Sequence, residues 1–391
     1  MEFHAAITGY GMINHLGMNA QAVWQRIQEN HKTEKEAPPF NENQGASGID
    51  IEGYFEKKEM KRLDSFAHYA IASSMEALSQ ANIRNFNEKQ KMGVYIGASG
   101  NGADKFLLDN HSLLLQRGPK RVSPYYSSAS MINSPPAEIA IKHGLHGPSG
   151  TIIAGETSSL MAIGQGLRAI RNKETTLMLA GGTQGDISNL TKEGYESLKI
   201  TSPDKNAYNP FTANSQGAVL RAGAGSIVME SMKSAVEREI DIKGIIMGFS
   251  MGTCSDHLYE SYVETIQSAL SDAKVTPEEV SLVIPQGSGI PTYDRAEKNA
   301  LHAIFSKGPV AACLFKKETG NLIAANGVTN TILSLLFLTS LRDKKNTRFS
   351  FVQELNEPSV YPRRDLKHKD IALINCFDFH GHNASLVVKL G

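Results

Sequence analysis

The chain has 391 residues, which is enough for two units of ordinary size that each bury a core. Forty basic residues balance forty acidic ones, and this zero net charge argues against a nucleic-acid-binding protein and a polybasic membrane anchor. The three cysteines, Cys254, Cys313 and Cys376, lack CxxC spacing. Disulfides and a metal site are therefore not expected, and we predict three small buried side chains.

The N-terminus, Met1 to Ala5, has no charged segment followed by an apolar one, so the sequence predicts no secretion signal. The longest apolar run, Thr331 to Leu341, is shorter than the roughly 20 residues that cross a bilayer. We therefore expect a cytoplasmic chain without a membrane span.

The first half of the chain alternates between strand and helix patterns. A short apolar strand that ends in a glycine-bearing turn is predicted from Ala5 to Met12. A helical pattern covers 66–81, and a buried strand follows over 93–97. The polar stretches Asn30 to Ile49 and Ser202 to Gly217 are predicted as loops.

The second half repeats this order of elements. A strand is predicted from Gly244 to Met251, a helix over 262–273 and a buried strand over 281–284. The repeat indicates an internal duplication, with the join near Glu237 to Asp241. We accordingly divide the chain into halves 1–238 and 239–391. Strands that alternate with helices imply a layered α/β fold.

One glutamate stands out in the stretch Gly147 to Leu160. This stretch resembles the active-site segment of β-ketoacyl synthases, in which a cysteine follows Gly-Pro-Ser at the spacing of Glu156 and opens a buried helix. The cysteine acts as a thiolate that takes an acyl chain from a thioester. A carboxylate at that position would have to form a mixed anhydride, and nothing in the sequence drives that uphill exchange.

Two further loops resemble the family's histidine motifs, and both histidines are replaced. Gln286 stands for the histidine of the His-Gly-Thr-Xaa-Thr loop, while Asp294 and Glu297 are kept. Asn321 stands for the histidine of the Lys-Ser-Xaa-Xaa-Gly-His loop, and Lys316 is kept. Losing a general acid or base costs about 10²–10⁴ in rate, so the resemblance implies neither condensation nor decarboxylation by this chain.

Donor and acceptor counts suggest what these residues do instead. An ionised Glu156 only accepts hydrogen bonds, whereas Gln286, Asn321 and Lys316 all donate. If the fold brings the four together as the family does, they form a closed polar cluster in which Lys316 neutralises the buried carboxylate.

The resemblance covers nearly the whole chain and implies the thiolase fold, duplicated and layered α-β-α-β-α, with two apolar helices between the sheets. It also implies positions that face an acyl tunnel or a subunit interface. The candidates are Asn101, Phe106 and Met131, and ordinary interface packing is the alternative for all three.

The C-terminal loop resembles the segment whose phenylalanine gates the acyl tunnel, and Phe379 falls on that residue. Asp378, His380 and His382 occupy positions where the family has small residues. We expect the two histidines to satisfy buried polar groups rather than to bind a metal.

Within the family, chain-length factors lack a working nucleophile and pair with an active ketosynthase. The resemblance therefore implies a non-catalytic partner subunit in a heterodimer, with no cofactor, in a type II system of the polyketide or aryl polyene kind. Its basic clusters, such as Lys57 to Arg62, are either solvated faces or a docking surface for an acidic acyl carrier protein. Two alternatives stay open: an acyl-thioester enzyme with Glu156 as base, and a homodimeric acyl-binding module.

Overall fold

The computed structural model describes residues 4–33, 48–83, 91–100, 102–202, 204, 207–254, 256–306, 310–343, 352–354 and 370–391. Within these ranges one sheet contains eleven strands. The strands are β1 Ala5–Asn14, β2 Met92–Ala98, β3 Ser149–Ile152, β4 Leu177–Gln184, β5 Gly223–Ser231, β6 Gly244–Thr253, β7 Leu282–Ile284, β8 Ala311–Cys313, β9 Val352–Glu354, β10 Ile371–Phe377 and β11 His382–Leu390.

Helices alternate with these strands along the chain. They are α1 Ala20–Thr33, α2 Lys57–Met60, α3 Ser65–Gln80, α4 Asp104–Arg117, α5 Tyr126–Ala129, α6 Ser134–His143, α7 Ser158–Arg171, α8 Asn189–Ser197, α9 Met232–Glu237, α10 Leu258–Ala273, α11 Pro291–Ile304, α12 Lys316–Thr319 and α13 Asn326–Arg342. Short 3₁₀ turns lie at Glu52–Tyr54, Pro119–Arg121, Gly155–Thr157, Pro277–Glu279 and Ile323–Ala325.

The strand order shows the duplication directly. From the centre outwards the first half runs β1-β5-β4-β2-β3, and the second half runs β6-β11-β10-β7-β8 with β9 at its outer edge. Corresponding strands therefore occupy corresponding places. The two halves meet where β1 and β6 pair antiparallel, with Ala5 opposite Ile246 and Ile7 opposite Gly244. The boundary between 1–238 and 239–391 remains a prediction.

Two pairs of close contacts repeat the same packing in each half. A Cβ on Gly9 of β1 would lie 2.1 Å from the carbonyl oxygen of Ala77 on α3. A Cβ on Gly248 of β6 would lie 2.3 Å from the amide nitrogen of Ala273 on α10. Each helix can approach its strand this closely because glycine has no side chain. The glycine-bearing strands predicted from the sequence thus set the distance between the layers.

Helices α7 and α13 form the middle layer, α3 covers the first half of the sheet and α10 covers the second. The five-layered thiolase-like architecture is therefore confirmed. The core of the middle layer includes Leu160 and Phe337, while Phe66 and Tyr262 anchor the outer cores. Truncating such a buried aromatic side chain to alanine costs about 3–5 kcal/mol.

Helix α13 and the turn before it, Ile323–Arg342, are long and apolar enough to cross a membrane. Yet 94% of the most apolar part of this segment is buried inside the protein. Burial on all sides explains the uniform hydrophobicity, because no face of the helix has to meet water.

Two details of the sequence-based interpretation are wrong. Asn30 to Thr33 belong to α1 and not to a loop, because Trp24 and Ile27 bury one face of this helix and stabilise it. Trp24 packs edge-on against Phe315, with ring centroids 6.5 Å apart. Cys254 is half-buried rather than buried, since it follows the exposed end of β6, whereas Cys313 and Cys376 are buried free thiols.

Candidate functional site

The segment that carries Glu156 links β3 to α7 through a tight turn. Gly155 has a φ of +56° in the turn Gly155–Thr157, a conformation that glycine adopts at little cost. The Ser158 hydroxyl accepts a hydrogen bond from the Ala154 amide at 2.9 Å, which fixes the start of the helix. This geometry directs the buried Glu156 side chain into the junction between the two halves.

Four donors from the second half surround the Glu156 carboxylate. Asn321 Nδ2 donates to Oε1 at 2.9 Å. Oε2 accepts from Lys316 Nζ at 3.1 Å, from Asn326 Nδ2 at 3.0 Å and from the Gln286 side-chain amide. We call these five residues the polar plug. An ionised carboxylate has approximately four lone-pair sites, and here three of the four donors share Oε2 while one binds Oε1.

The structure thus brings together the four residues singled out in the sequence and adds Asn326, which sequence reasoning missed. Asn326 is the first residue of α13, and its Oδ1 accepts from the Leu322 amide at 2.8 Å. Its Nδ2 also donates to Asn321 Oδ1 at 2.6 Å. An asparagine at the start of an otherwise apolar helix was the available signal, since such residues commonly cap helix ends.

A second buried carboxylate holds one of the donors in place. Glu297 accepts hydrogen bonds from the backbone amides of Gln286 and Gly287, at 2.8 and 2.9 Å. Burial raises the pKa of Glu297 to about 7, although those two hydrogen bonds oppose the shift. Glu297 therefore orients the Gln286 loop.

Lys316 and Glu156 form an ion pair whose side chains are 4% and 9% exposed. Removing two charges from water costs several kcal/mol, and their mutual attraction offsets this cost only with good geometry and further hydrogen bonds. Three amides supply those hydrogen bonds here. The plug can hold a carboxylate in the core because every donor faces it.

Asp378 is the second contact that the sequence did not reveal. Its carboxylate is 1% exposed, and Oδ1 accepts the backbone N–H of Glu156 at 2.9 Å. Oδ2 accepts the His380 N–H at 2.8 Å and lies 3.1 Å from His380 Nδ1. Burial raises the pKa of Asp378, and the charge of Glu156 adds to the rise.

The other residues of the C-terminal loop lie nearer the surface. The His380 side chain is 69% exposed, so it binds a buried group without being buried itself. His382 is half-buried at the start of β11. The half-buried Phe379 ring meets the edge of Tyr195 at 5.8 Å between centroids, and Tyr293 donates to the Phe379 carbonyl at 3.3 Å.

The predicted tunnel or interface positions form a separate region. Asn101 lies outside the described residues. Phe106 on α4 is half-buried and stacks on Tyr126 with centroids 6.5 Å apart, while Met131 is 55% exposed. Met131 is close to the edge of the sheet, because Thr151 Oγ1 lies 3.5 Å from the carbonyl oxygen of the next residue, Ile132. That these positions face a tunnel or an interface stays a prediction.

Strand β3 forms the edge of the sheet beside Met131. In the described part of the chain it pairs with β2, and its outer side is open. Ile153, directly after the strand, is 54% exposed. We call β3 together with Met131 and Ile153 the edge surface. An open strand with exposed apolar neighbours is a typical site for pairing with another chain.

Comparison with known proteins now places the chain. The β-ketoacyl synthase N-terminal domain model matches residues 4–235, and the C-terminal domain model matches 247–342. The 3-oxoacyl-[acyl-carrier-protein] synthase 2 of Staphylococcus aureus is 27% identical over 98% of this chain and 100% of its own length. The enzyme of the same name from Synechocystis sp. is 28% identical over 98% of this chain and 97% of its own length.

Solved structures agree on the fold. The ishigamide ketosynthase/chain length factor has a TM-score of 0.81 at 19% identity and covers 99% of both chains. A type II polyketide synthase acyl carrier protein in complex with its ketosynthase gives 0.80 at 19% identity, also over 99% of both chains. With the family models spanning most of both halves, this chain belongs to the β-ketoacyl synthase family.

Proposed function

We propose that the chain is a non-catalytic ketosynthase-like subunit, a chain-length factor, that pairs with an active β-ketoacyl-[acyl-carrier-protein] synthase. The partner would hold the growing chain on its cysteine and carry out decarboxylative Claisen condensation with a malonyl carrier protein. This chain would supply half of the interface and the floor of the acyl tunnel. The expected setting is cytoplasmic synthesis of a polyketide, with an aryl polyene as the narrower proposal.

The polar plug carries the proposal. Acyl transfer needs a nucleophile at position 156, and the carboxylate there is held by an ammonium and three amides. The alternative in which Glu156 acts as a general base finds no support in this geometry. A base must turn a free lone pair toward substrate, whereas four donors already engage the Glu156 carboxylate, three of them at Oε2.

The edge surface supports the part of the proposal that concerns a partner. Within the described residues β3 pairs on one side only, and Met131 and Ile153 near it are 55% and 54% exposed. A folded partner that extends the sheet would satisfy these groups and cover the apolar side chains. Met131 lies on the edge surface, and from this position its side chain would reach the tunnel of a partner.

Carrier-protein docking is the third part of the proposal. Lys57, Lys58 and Lys61 are exposed around α2, and Arg62 is bound to Glu138 at 3.0 Å. The lysines present positive charge at the surface, which suits an acidic partner and speeds association. A second basic cluster of the sequence, Arg363, Arg364, Lys367 and Lys369, lies outside the described residues.

Co-expression with a candidate ketosynthase tests the pairing. We expect native mass spectrometry to show a one-to-one heterodimer that elongates acyl chains, and that loses activity when the partner's cysteine is replaced. Replacement of Glu156 by glutamine should leave elongation by the heterodimer in place, provided the complex assembles. Exclusive self-pairing would favour the homodimeric acyl-binding module, and turnover by the isolated chain would favour the enzyme alternative.

Product length tests the tunnel assignment. Met131→Trp, and likewise a tryptophan at Asn101, should shorten the products of the pair because a larger side chain fills the end of the tunnel. Val236→Trp is a matched control, since Val236 is 66% exposed on the surface helix α9. Unchanged product length in an intact heterodimer would refute the assignment of Met131.

A further inference from the structure

The backbone N–H of Glu156 is already occupied by the chain itself. Asp378 Oδ1 accepts it at 2.9 Å, while Asp378 Oδ2 accepts the His380 N–H at 2.8 Å and faces His380 Nδ1 at 3.1 Å. We call these three nitrogen groups the anion seat. They hold the carboxylate of Asp378, which is 1% exposed. By the resemblance noted above, this position carries a small residue in the family.

The fit of Asp378 in the seat is tight. A Cβ on Gly155 would lie 2.0 Å from Asp378 Oδ1, so the carboxylate uses the space that a side chain at position 155 would fill. Burial and the nearby Glu156 both oppose a negative charge at Asp378. The two backbone N–H donors of the seat, with His380 Nδ1 beside them, must therefore offset this cost, since a buried charge without hydrogen bonds is strongly unfavourable.

The backbone N–H of Glu156 is a donor of a kind that has a known role in catalysis. Enzymes that attack a carbonyl commonly stabilise the developing oxyanion with backbone N–H groups, including that of the nucleophilic residue itself. Suitable donors lie about 2.7–3.1 Å from the oxyanion. In this chain the N–H at the nucleophile position meets an oxygen at 2.9 Å, and that oxygen belongs to Asp378.

We propose that Asp378 is an internal ligand of an oxyanion-type site, and that removing its carboxylate opens the seat to a small carboxylate or to the carbonyl oxygen of a thioester. The chain has then lost acyl transfer twice, once through Glu156 and once through Asp378. This inference concerns the chain alone and holds whether or not the chain pairs with a ketosynthase.

Rescue by a small anion tests the seat. Thermal unfolding of Asp378→Ala is measured in sodium acetate and in sodium chloride at equal ionic strength. We expect acetate to raise the Tm of this variant in a saturable way, because binding to the native state stabilises it. Wild type and Asp378→Asn, whose side chain still fills the seat and retains an acceptor, should respond equally to the two salts.

Equal responses of Asp378→Ala to acetate and chloride would overturn the proposal. Asp378→Gly removes the same carboxylate, is measured in parallel and should respond to acetate as Asp378→Ala does. A rise in Tm with acetate that is as large in wild type as in these variants would also contradict the assignment, since it would arise elsewhere on the protein.

A covalent readout separates the two losses. In Glu156→Cys the thiolate would attack an acyl thioester, forming a new carbon–sulfur bond while the old one breaks and the released thiol takes a proton. We expect Glu156→Cys/Asp378→Ala to be acylated by a soluble acyl thioester about 10²-fold faster than Glu156→Cys, the effect of regaining one oxyanion donor.

Intact-protein mass spectrometry follows the acyl adduct with time, and Glu156→Cys/Asp378→Asn is the control that should match Glu156→Cys. Equal acylation rates for the alanine and asparagine double variants would contradict the proposal. A chain that is rescued by acetate but never forms a heterodimer would instead leave the anion seat standing and remove the proposed function.

Discussion

The two turns that open the central helices have the same backbone but different chemistry. Gly155–Thr157 leads into α7, and Ile323–Ala325 leads into α13, with φ values of +56° at Gly155 and +43° at Ile323. In each turn a side chain four residues on accepts the preceding backbone amide: Ser158 for Ala154 and Asn326 for Leu322. The first turn carries the Glu156 carboxylate, and the second is flanked by two donors for it, Asn321 and Asn326.

The two halves of the duplicated fold supply different groups to one site: the first half supplies the Glu156 carboxylate and the second half its donors. Like Ser158, Asn326 accepts the amide four residues earlier, but its Nδ2 also donates to Glu156 Oε2 at 3.0 Å. A serine hydroxyl is too short to do both. The residue at the repeated position therefore differs because the two halves face each other across one buried charge. The four predictions below disturb this arrangement, from the largest expected effect to the smallest.

Loss of the ammonium should be the most damaging change to the polar plug. Lys316→Met leaves the Glu156 carboxylate buried without a counter-charge, and we expect it to lower the free energy of unfolding by about 3–5 kcal/mol. Chemical denaturation measures the change. Lys317→Met is the matched control, because Lys317 is only half-buried and lies outside the plug.

A double variant sharpens this test. Adding Glu156→Leu to Lys316→Met removes the stranded charge, so a large part of the lost stability should return. Additive losses from the two substitutions would show that the ion pair is not coupled and would contradict the plug.

Gly155→Ala tests the turn of the first half. At the corresponding position of the second half, Ile323 adopts a similar positive φ. A left-handed φ costs a non-glycine residue about 1–3 kcal/mol, and the new Cβ would also meet Asp378 Oδ1. We expect a loss in Tm that shrinks when Asp378→Ala is combined with it. Gly194→Ala serves as control, since Gly194 lies in α8 with open space around it.

Asn326→Ser makes the second turn like the first. The serine hydroxyl can still cap the Leu322 amide, but the hydrogen bond to Glu156 is lost, and a bond to a charged group is worth about 1.5–3 kcal/mol. We expect denaturant unfolding to show a loss near the lower end of that range. Asn330→Ser, buried on the same helix but outside the plug, should cost less. Equal losses would argue against a special role for Asn326.

The pH profile should show the smallest effect. The fold raises the pKa of Glu297 from 4.5 to about 7, so the native state binds more protons than the unfolded chain between these values. Its contribution to stability is therefore complete below pH 4.5 and falls as the pH rises toward 7. Glu297→Gln should reduce this slope in thermal unfolding.

Part of that slope should survive in Glu297→Gln. Burial also raises the pKa values of Asp294 and Asp378, which act in the same direction. A slope identical to that of wild type would show that Glu297 keeps its ordinary pKa in the fold.

The sequence predicted the duplicated layered fold because its signals are local: short apolar strands, helical spacing and glycines where α3 and α10 approach their strands. Four members of the polar plug were also predictable, since each occupies a recognisable motif position. Asn326 and the contact of Asp378 with Glu156 were not, because they depend on how far side chains reach across two halves that are distant in sequence. The left-handed Ile323 escaped for a similar reason, since β-branched residues rarely adopt that conformation.

The polar plug also bears on how the chain is made. The carboxylate of Glu156 leaves the ribosome long before Lys316, Asn321 and Asn326 are synthesised, so the nascent first half cannot bury it at a favourable free energy. We expect that half to remain open at its inner face, where chaperones and proteases can reach it, until the rest of the chain has emerged. Closure of the molecule would then have to wait for the synthesis of the second half.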